Sequence, residues 1–510
     1  MLGGMEYILR ADVLTQSPDF PRATAVLVSG DRVRAVDQLE VLQGIAPQAK
    51  LLDFQDRILT PGLTDAHIHL VAYGFRLSQV NLEGSTSVQE VQKRVQDHAL
   101  TQPEGWIVGG GYTITELGLK AYPTRQLLDE AMPDRPVLLY SRDLHSAWAN
   151  SLALQLSGLQ DITPNPEGGE LVRVDGALTG YLLESAMGLV RKHIPEPTWE
   201  ETLDAARLAV KTMRNFGYTA VHTMAYEPAS HLRALLHLEQ NGELPLRVWA
   251  CIPHTDLDAA IGLGLYGGQG DRVKLGGVKF FLDGALGSQT AWMLPPGYQN
   301  PQATPMILDQ PEVIREKAEQ ALQYGFVPTV HAIGDQANRV LLDIYQDLKP
   351  LADQQGLRLR LEHAQHLNQE DIARFGTLQV TASMQPVHLP GDARLVRELM
   401  PHMQDTTYAV KSLQDAGTLL AFGSDAPVAS PDPHLSFQAA TKRLGQDGQT
   451  FSVQECLSPE ETLWAHTRGP ALAVGWQDYG IIVPGARADF TLWDTLGGRS
   501  EALTFPWPET

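Results

Sequence analysis

The stretch Leu59-Thr60-Pro61-Gly62-Leu63-Thr64-Asp65-Ala66-His67-Ile68-His69-Leu70 decides how the rest of the chain is read. Pro-Gly marks a turn, and the residues after it fit a short buried strand that ends in His-x-His. Residues two apart on a strand point to the same face. His67 and His69 therefore stand side by side, at the separation one metal ion needs. Two core histidines satisfied by hydrogen bonds are the competing reading.

Outward from this strand, the residues before Thr60 are β-rich. Glu6–Arg10, Thr24–Val28, Val33–Val36, Lys50–Asp53 and Arg57–Leu59 are short apolar runs separated by turn signals such as Ser29-Gly30-Asp31-Arg32. The chain end returns to this character at Gly485–Asp494, followed by an irregular tail over Thr504–Thr510. Residues 1–60 plus 476–510 are expected to form a small β-sandwich domain from both chain ends, with its last strands short or incomplete after Gly497. Residues from about 71 to 197 show no barrel rhythm. A helix over Ser85–Leu100, capped by Ser85 or Thr86, and a hairpin turning at Asp175-Gly176 suggest an inserted cap.

From Thr198 onward, helical and strand patterns alternate. Strands are expected at Thr219–His222, Leu246–Ala250, Val278–Leu282, Val327–His331, Leu357–His363, Leu378–Ala382 and Thr418–Phe422. With the strand before His67 that makes eight, and eight βα units imply a (β/α)₈ TIM barrel over residues 61–475. An open doubly wound sheet would carry a Gly-rich phosphate loop after an early strand, and none is evident.

In such a barrel the C-terminal strand ends build the active site. The polar residues there are His67 and His69 (strand one), His222 (two), Lys279 (four), His331 (five), His363 (six) and Asp425, which follows strand eight. Imidazole and carboxylate suit Zn²⁺, and a catalytic zinc keeps a position open for water. Structural readings compete: Lys279 in a salt bridge to Asp283, Asp425 as a turn or cap aspartate, and His222 as ligand or core residue. Glu362 adjoins His363, so alternation turns it to the other strand face, toward an ion pair with a nearby arginine. His366 reads as loop surface. Trp292 reads as either pocket wall or packing.

Composition narrows the function classes. The net charge of −21 opposes binding to nucleic acid or to an anionic membrane surface. No run is apolar for long enough to span a bilayer, and the N-terminal residues lack the pattern of a signal peptide. Cys251 and Cys456 are the only cysteines, which fits a reducing cytoplasm. The expected partner is a small-molecule substrate, and any self-association is expected to give a homodimer.

The order His-x-His, Lys, His, His, Asp on strands one, four, five, six and eight resembles the binuclear subtype of the amidohydrolase superfamily. Val278–Ser288, Val330–Asp335, Leu361–Gln365 and Phe422–Pro427 are similar to its amidohydrolase family 3 branch, which includes N-substituted formamide deformylases. The resemblance runs from about Ala25 to Trp493. It implies two divalent metal ions, zinc by preference, held by His67, His69, His331, His363 and Asp425 and bridged by a carboxylated Lys279. It also implies hydrolysis of a C–N bond, an amide or N-formyl group, by a metal-activated hydroxide, with Asp425 as the catalytic proton carrier. His145, in a motif of the cap, and Asp283, Gln385 and His388 are the expected substrate-binding residues. A mononuclear deaminase of the same superfamily and a non-catalytic binding protein on the same scaffold are the alternatives.

Overall fold

The computed structural model describes residues 5–102, 104–142, 145–225 and 227–505. The tail beyond Phe505, the start before Met5, and Asp143 with Leu144 of the cap motif lie outside them. Eight parallel strands form one sheet, each paired with its neighbours in chain order. They are β1 (Leu63–Ile68), β2 (Tyr218–Thr223), β3 (Arg247–Pro253), β4 (Val273–Phe281), β5 (Val327–Ala332), β6 (Arg360–His363), β7 (Thr381–Met384) and β8 (Leu419–Phe422). This is the expected α/β barrel.

Alternation along the strands sorts the side chains. Val278 and Phe280 of β4, Val330 of β5 and Leu361 of β6 face outward into a core built with Ile314, Leu322, Leu341, Tyr345 and Phe375 of the surrounding helices. Each such side chain contributes roughly 1.5–3 kcal/mol when buried. The helix Asp335–Gln354 shows why it forms: its buried Leu341, Ile344, Tyr345, Leu348 and Ala352 recur every three or four residues. β7 begins later than the sequence pattern indicates. The preceding helix runs on to Leu378, and Gln379 ends it in the left-handed conformation at φ 54°.

Among the described residues no ladder joins β8 to β1, and the seam is closed by other means. Asp425 N–H donates to the His67 carbonyl at 2.7 Å, and His69 N–H to the Ala426 carbonyl at 2.9 Å. Asp65, the aspartate of the opening motif, accepts from Ser424 N at 3.0 Å and Ser424 Oγ at 2.6 Å. A Cβ on Gly423 would lie 2.3 Å from His67 N, so only glycine allows this approach.

The chain divides into two compact units, one of residues before Gly74 and after Leu208, the other Gly74–Leu208. Beside the barrel, the first unit holds a six-stranded sheet in the order Ser500–Thr504, Asp489–Trp493, Lys50–Pro61, Glu6–Leu14, Arg22–Ser29, Arg32–Asp37. Both chain ends contribute, as expected. The C-terminal part is not curtailed after Gly497: Ser500–Thr504 pairs antiparallel with Asp489–Trp493. One face of the sheet buries Leu9, Val13, Val26, Phe490 and Leu492, and the other buries Ile8, Ala25 and Leu27 beneath Leu42.

The second unit carries its own six-stranded sheet, Gly169–Val174, Ala177–Glu184, Ser146–Ala149, Val137–Ser141, Ile107–Tyr112, Val80–Asn81. The hairpin at Asp175-Gly176 is present. Its long helix is Val88–Thr101, and the cap is Ser87 rather than Ser85 or Thr86, with Ser87 Oγ accepting from Glu90 N. Among the described residues no helix is long and apolar enough to cross a membrane.

Candidate metal centre

The C-terminal ends of β1, β4, β5 and β6 and the turn after β8 meet at a cavity of about 360 Å³. His67, His69, Lys279, His331, His363 and Asp425 all line it. Ligand atoms of His67, His69 and Asp425 lie within 4.8 Å of one another. Asp425 Oδ1 is 3.5 Å from His67 Nε2 and 3.4 Å from His69 Nε2. The far nitrogen of each ring is held by a carboxylate. His67 Nδ1 is 2.6 Å from Glu362 Oε2, and His69 Nδ1 is 3.1 Å from Glu227 Oε1. A carboxylate can only accept, so each Nδ1 carries the proton and each Nε2 is the side turned to Asp425.

The second pair is built differently. The ring centroids of His331 and His363 are 4.4 Å apart. His331 Nε2 donates to the Gly284 carbonyl at 3.0 Å, and His363 Nδ1 to Gln385 Oε1 at 2.7 Å. His331 Nδ1 and His363 Nε2 are left with lone pairs. His363 should follow Leu361 to the outer face, yet it lines the cavity. Its φ of 75° takes it out of the pleat. Asp425 is left-handed too, at φ 59°.

Charges follow from these surroundings. Burial alone would lower His69, but Asp425 and Glu227 carry it up to about 9. Burial pushes His331 down to about 3, with Lys279 adding to the effect, and holds His363 well below the ordinary imidazole value, with His331 and His67 adding to it. Burial would raise the Asp425 carboxyl, but His67, His69 and His363 hold it well below the carboxylate range. Lys279 is buried, and its Nζ has no hydrogen-bond partner among the described residues. Nζ lies 4.8 Å from the centre of the Phe281 ring, and burial lowers its pKa. Four imidazoles that each turn one nitrogen to the cavity, an ionised carboxylate and an orphaned buried amine fit a divalent cation site, where a cation would take the place of the His69 proton.

A model of the amidohydrolase family matches residues 50–509. The chain belongs to that family. It is 31% identical over 506 residues to Protein LONG AFTER FAR-RED 3 of Arabidopsis thaliana, covering 96% of this chain and 87% of that one. It is 27% identical over 508 residues to an N-substituted formamide deformylase of Arthrobacter pascens, covering 96% and 93%. Among solved structures it is similar to an uncharacterized metal-dependent hydrolase from Pyrococcus horikoshii OT3, with TM-score 0.81, 28% identity and coverage of 96% and 98%.

The other residues singled out in this amidohydrolase are placed as follows. Gln385 and His388 line the cavity, with Gln385 fixing the His363 ring and His388 Nε2 3.3 Å from the Ser424 carbonyl. Asp283 is fully buried and off the cavity wall. Its oxygens accept backbone N–H groups from Trp292, Ile333 and Gly334, so it ties loops together and forms no salt bridge to Lys279. Its site is buried enough to push its carboxyl up to about 7, against those donors. His145 lies in the second unit, exposed, with Nδ1 3.0 Å from Glu184 Oε1. His366 is not surface: it is fully buried, Nδ1 is 2.8 Å from Thr407 Oγ1, and burial pushes it down to about 3. Trp292 packs against the barrel core and is absent from the cavity lining.

Two features escape sequence reasoning. Glu362 does pair with Arg360, as alternation suggests, but it also reaches across the barrel to His67. Arg360, itself fully buried, donates further to the Ala66 carbonyl, to Ser383 Oγ at 3.0 Å and to His222 Nδ1 at 2.7 Å. That bond occupies the one lone pair of His222, which makes it a strut and not a ligand. Glu227 is the second: it follows β2 in a loop and joins His69 to His231, whose Nδ1 is 2.9 Å away. No spacing in the sequence links position 227 to position 69.

Proposed function

We propose that this chain is a metal-dependent hydrolase that cleaves a C–N bond, an amide or an N-formyl group. The observation that carries the reading is the double commitment of the histidines. Each ring has one nitrogen spent on an acceptor oxygen and the other turned to a shared cavity beside Asp425 and the orphaned amine of Lys279. Two divalent cations, zinc by preference for imidazole and carboxylate ligands, would be held by His67, His69 and Asp425 and by His331 and His363. Lys279, its neutral amine carboxylated by CO₂ with release of a proton, would serve both ions, which replaces a repelled ammonium with an attracted anion. Bound there, the cations would acidify a water and polarise the substrate carbonyl.

Asp425 does the proton work. As water oxygen bonds to the carbonyl carbon, the Asp425 carboxylate takes the proton. When the C–N bond breaks, it gives that proton to the departing nitrogen, leaving an acid and an amine. Glu362 and Glu227 keep the rings of His67 and His69 in register, and Gln385 does the same for His363. The kinship with a formamide deformylase and with a metal-dependent hydrolase supports this reading.

The test is Lys279→Ala in the zinc-loaded protein, assayed against a panel of N-formyl, N-acyl and cyclic amides. Wild type is expected to hydrolyse a member of the panel with about two ions bound per chain. The variant is expected to lose metal and turnover and to recover part of both with added short carboxylic acids. A wild type that binds zinc and leaves every amide intact would overturn the reading. Unchanged metal content in the variant would overturn the role of Lys279.

A further inference from the structure

One wall of the same cavity carries a carboxylate held in place by two donors. Asp392 sits in the first turn of the helix Leu389–Leu399 and lines the cavity with Gln365, His388 and Tyr408. Its Oδ2 is doubly occupied, by the Tyr408 hydroxyl at 2.6 Å and by Gln365 Nε2 at 2.8 Å. The carboxylate accepts in both bonds, which fixes the donors. The Tyr408 proton is spent, and the Gln365 amide must turn its nitrogen to Asp392, leaving Oε1 as the exposed end. His388 Nε2 lies 3.3 Å from the Ser424 carbonyl. Among the described residues Asp392 Oδ1 and Gln365 Oε1 have no partner. Among the described residues no arginine lines the cavity, and Lys279 is its one lysine. Phe281, Leu286, Ile333 and Val428 supply apolar wall.

An anionic group reaching this wall would meet the Asp392 carboxylate. An N–H-rich cation would find a carboxylate oxygen already oriented by two donors, and an amide oxygen beside it, placed for charge-assisted bonds. We propose that Asp392 is the specificity residue of this site, and that it selects substrates bearing a cationic, N–H-donating group such as an ammonium or amidinium. Substrates bearing a carboxylate are selected against. The assignment rests on the hydrolase reading for its use of the word substrate. Its geometry stands apart from any turnover. Burial pushes the Asp392 carboxyl up against the pull of Tyr408, His388 and Gln365, and a bound cation would relieve that cost.

The test is a binding measurement, with turnover read beside it. Zinc-loaded full-length protein is titrated calorimetrically with benzamidinium and with acetophenone, a neutral ligand of similar shape that cannot be hydrolysed. Wild type is expected to bind the amidinium about tenfold or more tightly, the scale of one charge-assisted hydrogen bond. Asp392→Asn, nearly isosteric, is expected to bring the ratio close to one. Tyr408→Phe keeps the carboxylate and is expected to keep the preference. A carboxylate that merely tied Gln365 to Tyr408 would change the melting temperature and leave the ratio alone. A wild type without preference, or an Asp392→Asn protein that retains it, overturns the proposal. Should Asp392→Asn fail to fold, the wild-type ratio and its persistence in Tyr408→Phe decide. A protein that shows the preference and cleaves no amide would refute the hydrolase reading and leave Asp392 in place.

Discussion

The two halves of the candidate centre are backed by different chemistry. Behind His67 and His69 stand carboxylates, Glu362 and Glu227. Behind His331 and His363 the hydrogen bonds go to a backbone carbonyl and the Gln385 amide, with the Asp283 carboxyl farther off, 3.6 Å from His331 Nε2 and held by three backbone N–H groups. The consequence is a difference in protons: His69 is carried up to about 9, whereas His331 is pushed down to about 3. The β1 half is anionic and holds a proton where a cation would sit. The β5–β6 half is neutral and already has free lone pairs. One mouth thus offers one place whose histidines bind in competition with protons, and another whose histidines are already bare, with Lys279 common to both.

The largest expected effect comes from removing the charge the β1 half is built around. Asp425→Asn should lower turnover by about a thousandfold, within the range for a lost general base, while substrate analogues still bind. Near-normal turnover, followed by product assay, would break the comparison at its root.

Arg360→Met strikes the support beneath that half. Arg360 and Glu362 are both fully buried, and leaving Glu362 without its guanidinium, with the His67 N–H alone still donating to it, should cost up to about 3–5 kcal/mol of stability. The sign with pH follows from Glu362. Burial would raise its pKa, but Arg360 and His67 hold it well below 4.5 in the folded wild type. Its contribution is therefore full above the unfolded value and is lost as pH falls through the folded one. Without Arg360, burial prevails and the folded value rises above 4.5, so stability drops as pH climbs past it. The gap between variant and wild-type melting temperatures should widen from pH 5 to pH 8. A constant gap would show that Glu362 does not carry the charge.

Metal uptake separates the halves directly. A ligand must lose its proton to bind a cation. Below the His69 value of about 9, the β1 half should gain roughly tenfold in affinity per pH unit, and level off above it. The β5–β6 half, whose histidines are already neutral, should show a shallower slope between pH 6 and 9, from the shared Lys279 alone. Two identical slopes in a competition assay with a chromophoric chelator would contradict the asymmetry. The smallest effect sharpens it. Glu227→Gln should move the slope of the β1 half to lower pH and weaken that ion by about tenfold, typical for a partner behind a ligand. Gln385→Glu should steepen the shallow slope of the other half.

The physics of strands makes half of this site legible from sequence. Period-two alternation puts His67 beside His69 and Lys279 opposite in face to Phe280, and eight βα repeats bring the strand ends together. What alternation cannot supply is contact across the barrel. Taken from His363 as a mouth residue, it turns Glu362 away from the site, yet Glu362 faces the barrel interior and meets His67, and His363 joins it there through a left-handed φ that no sequence period reveals. Glu227 comes from a loop, where no period exists. His366 follows the end of β6 and reads as surface, yet Thr407 closes over it. Asp283 carries the right chemistry for a binding residue, but three backbone donors claim it first.

The central claim is that these residues hold cations in two unlike halves of one mouth. Anomalous diffraction from crystals of the zinc-loaded protein, recorded on both sides of the zinc absorption edge, tests it directly. The expected result is two peaks, one among His67, His69 and Asp425 and one beside His331 and His363, with density extending from Lys279 Nζ to both. Peaks elsewhere, or none in a protein that retains the folded barrel, would contradict the account.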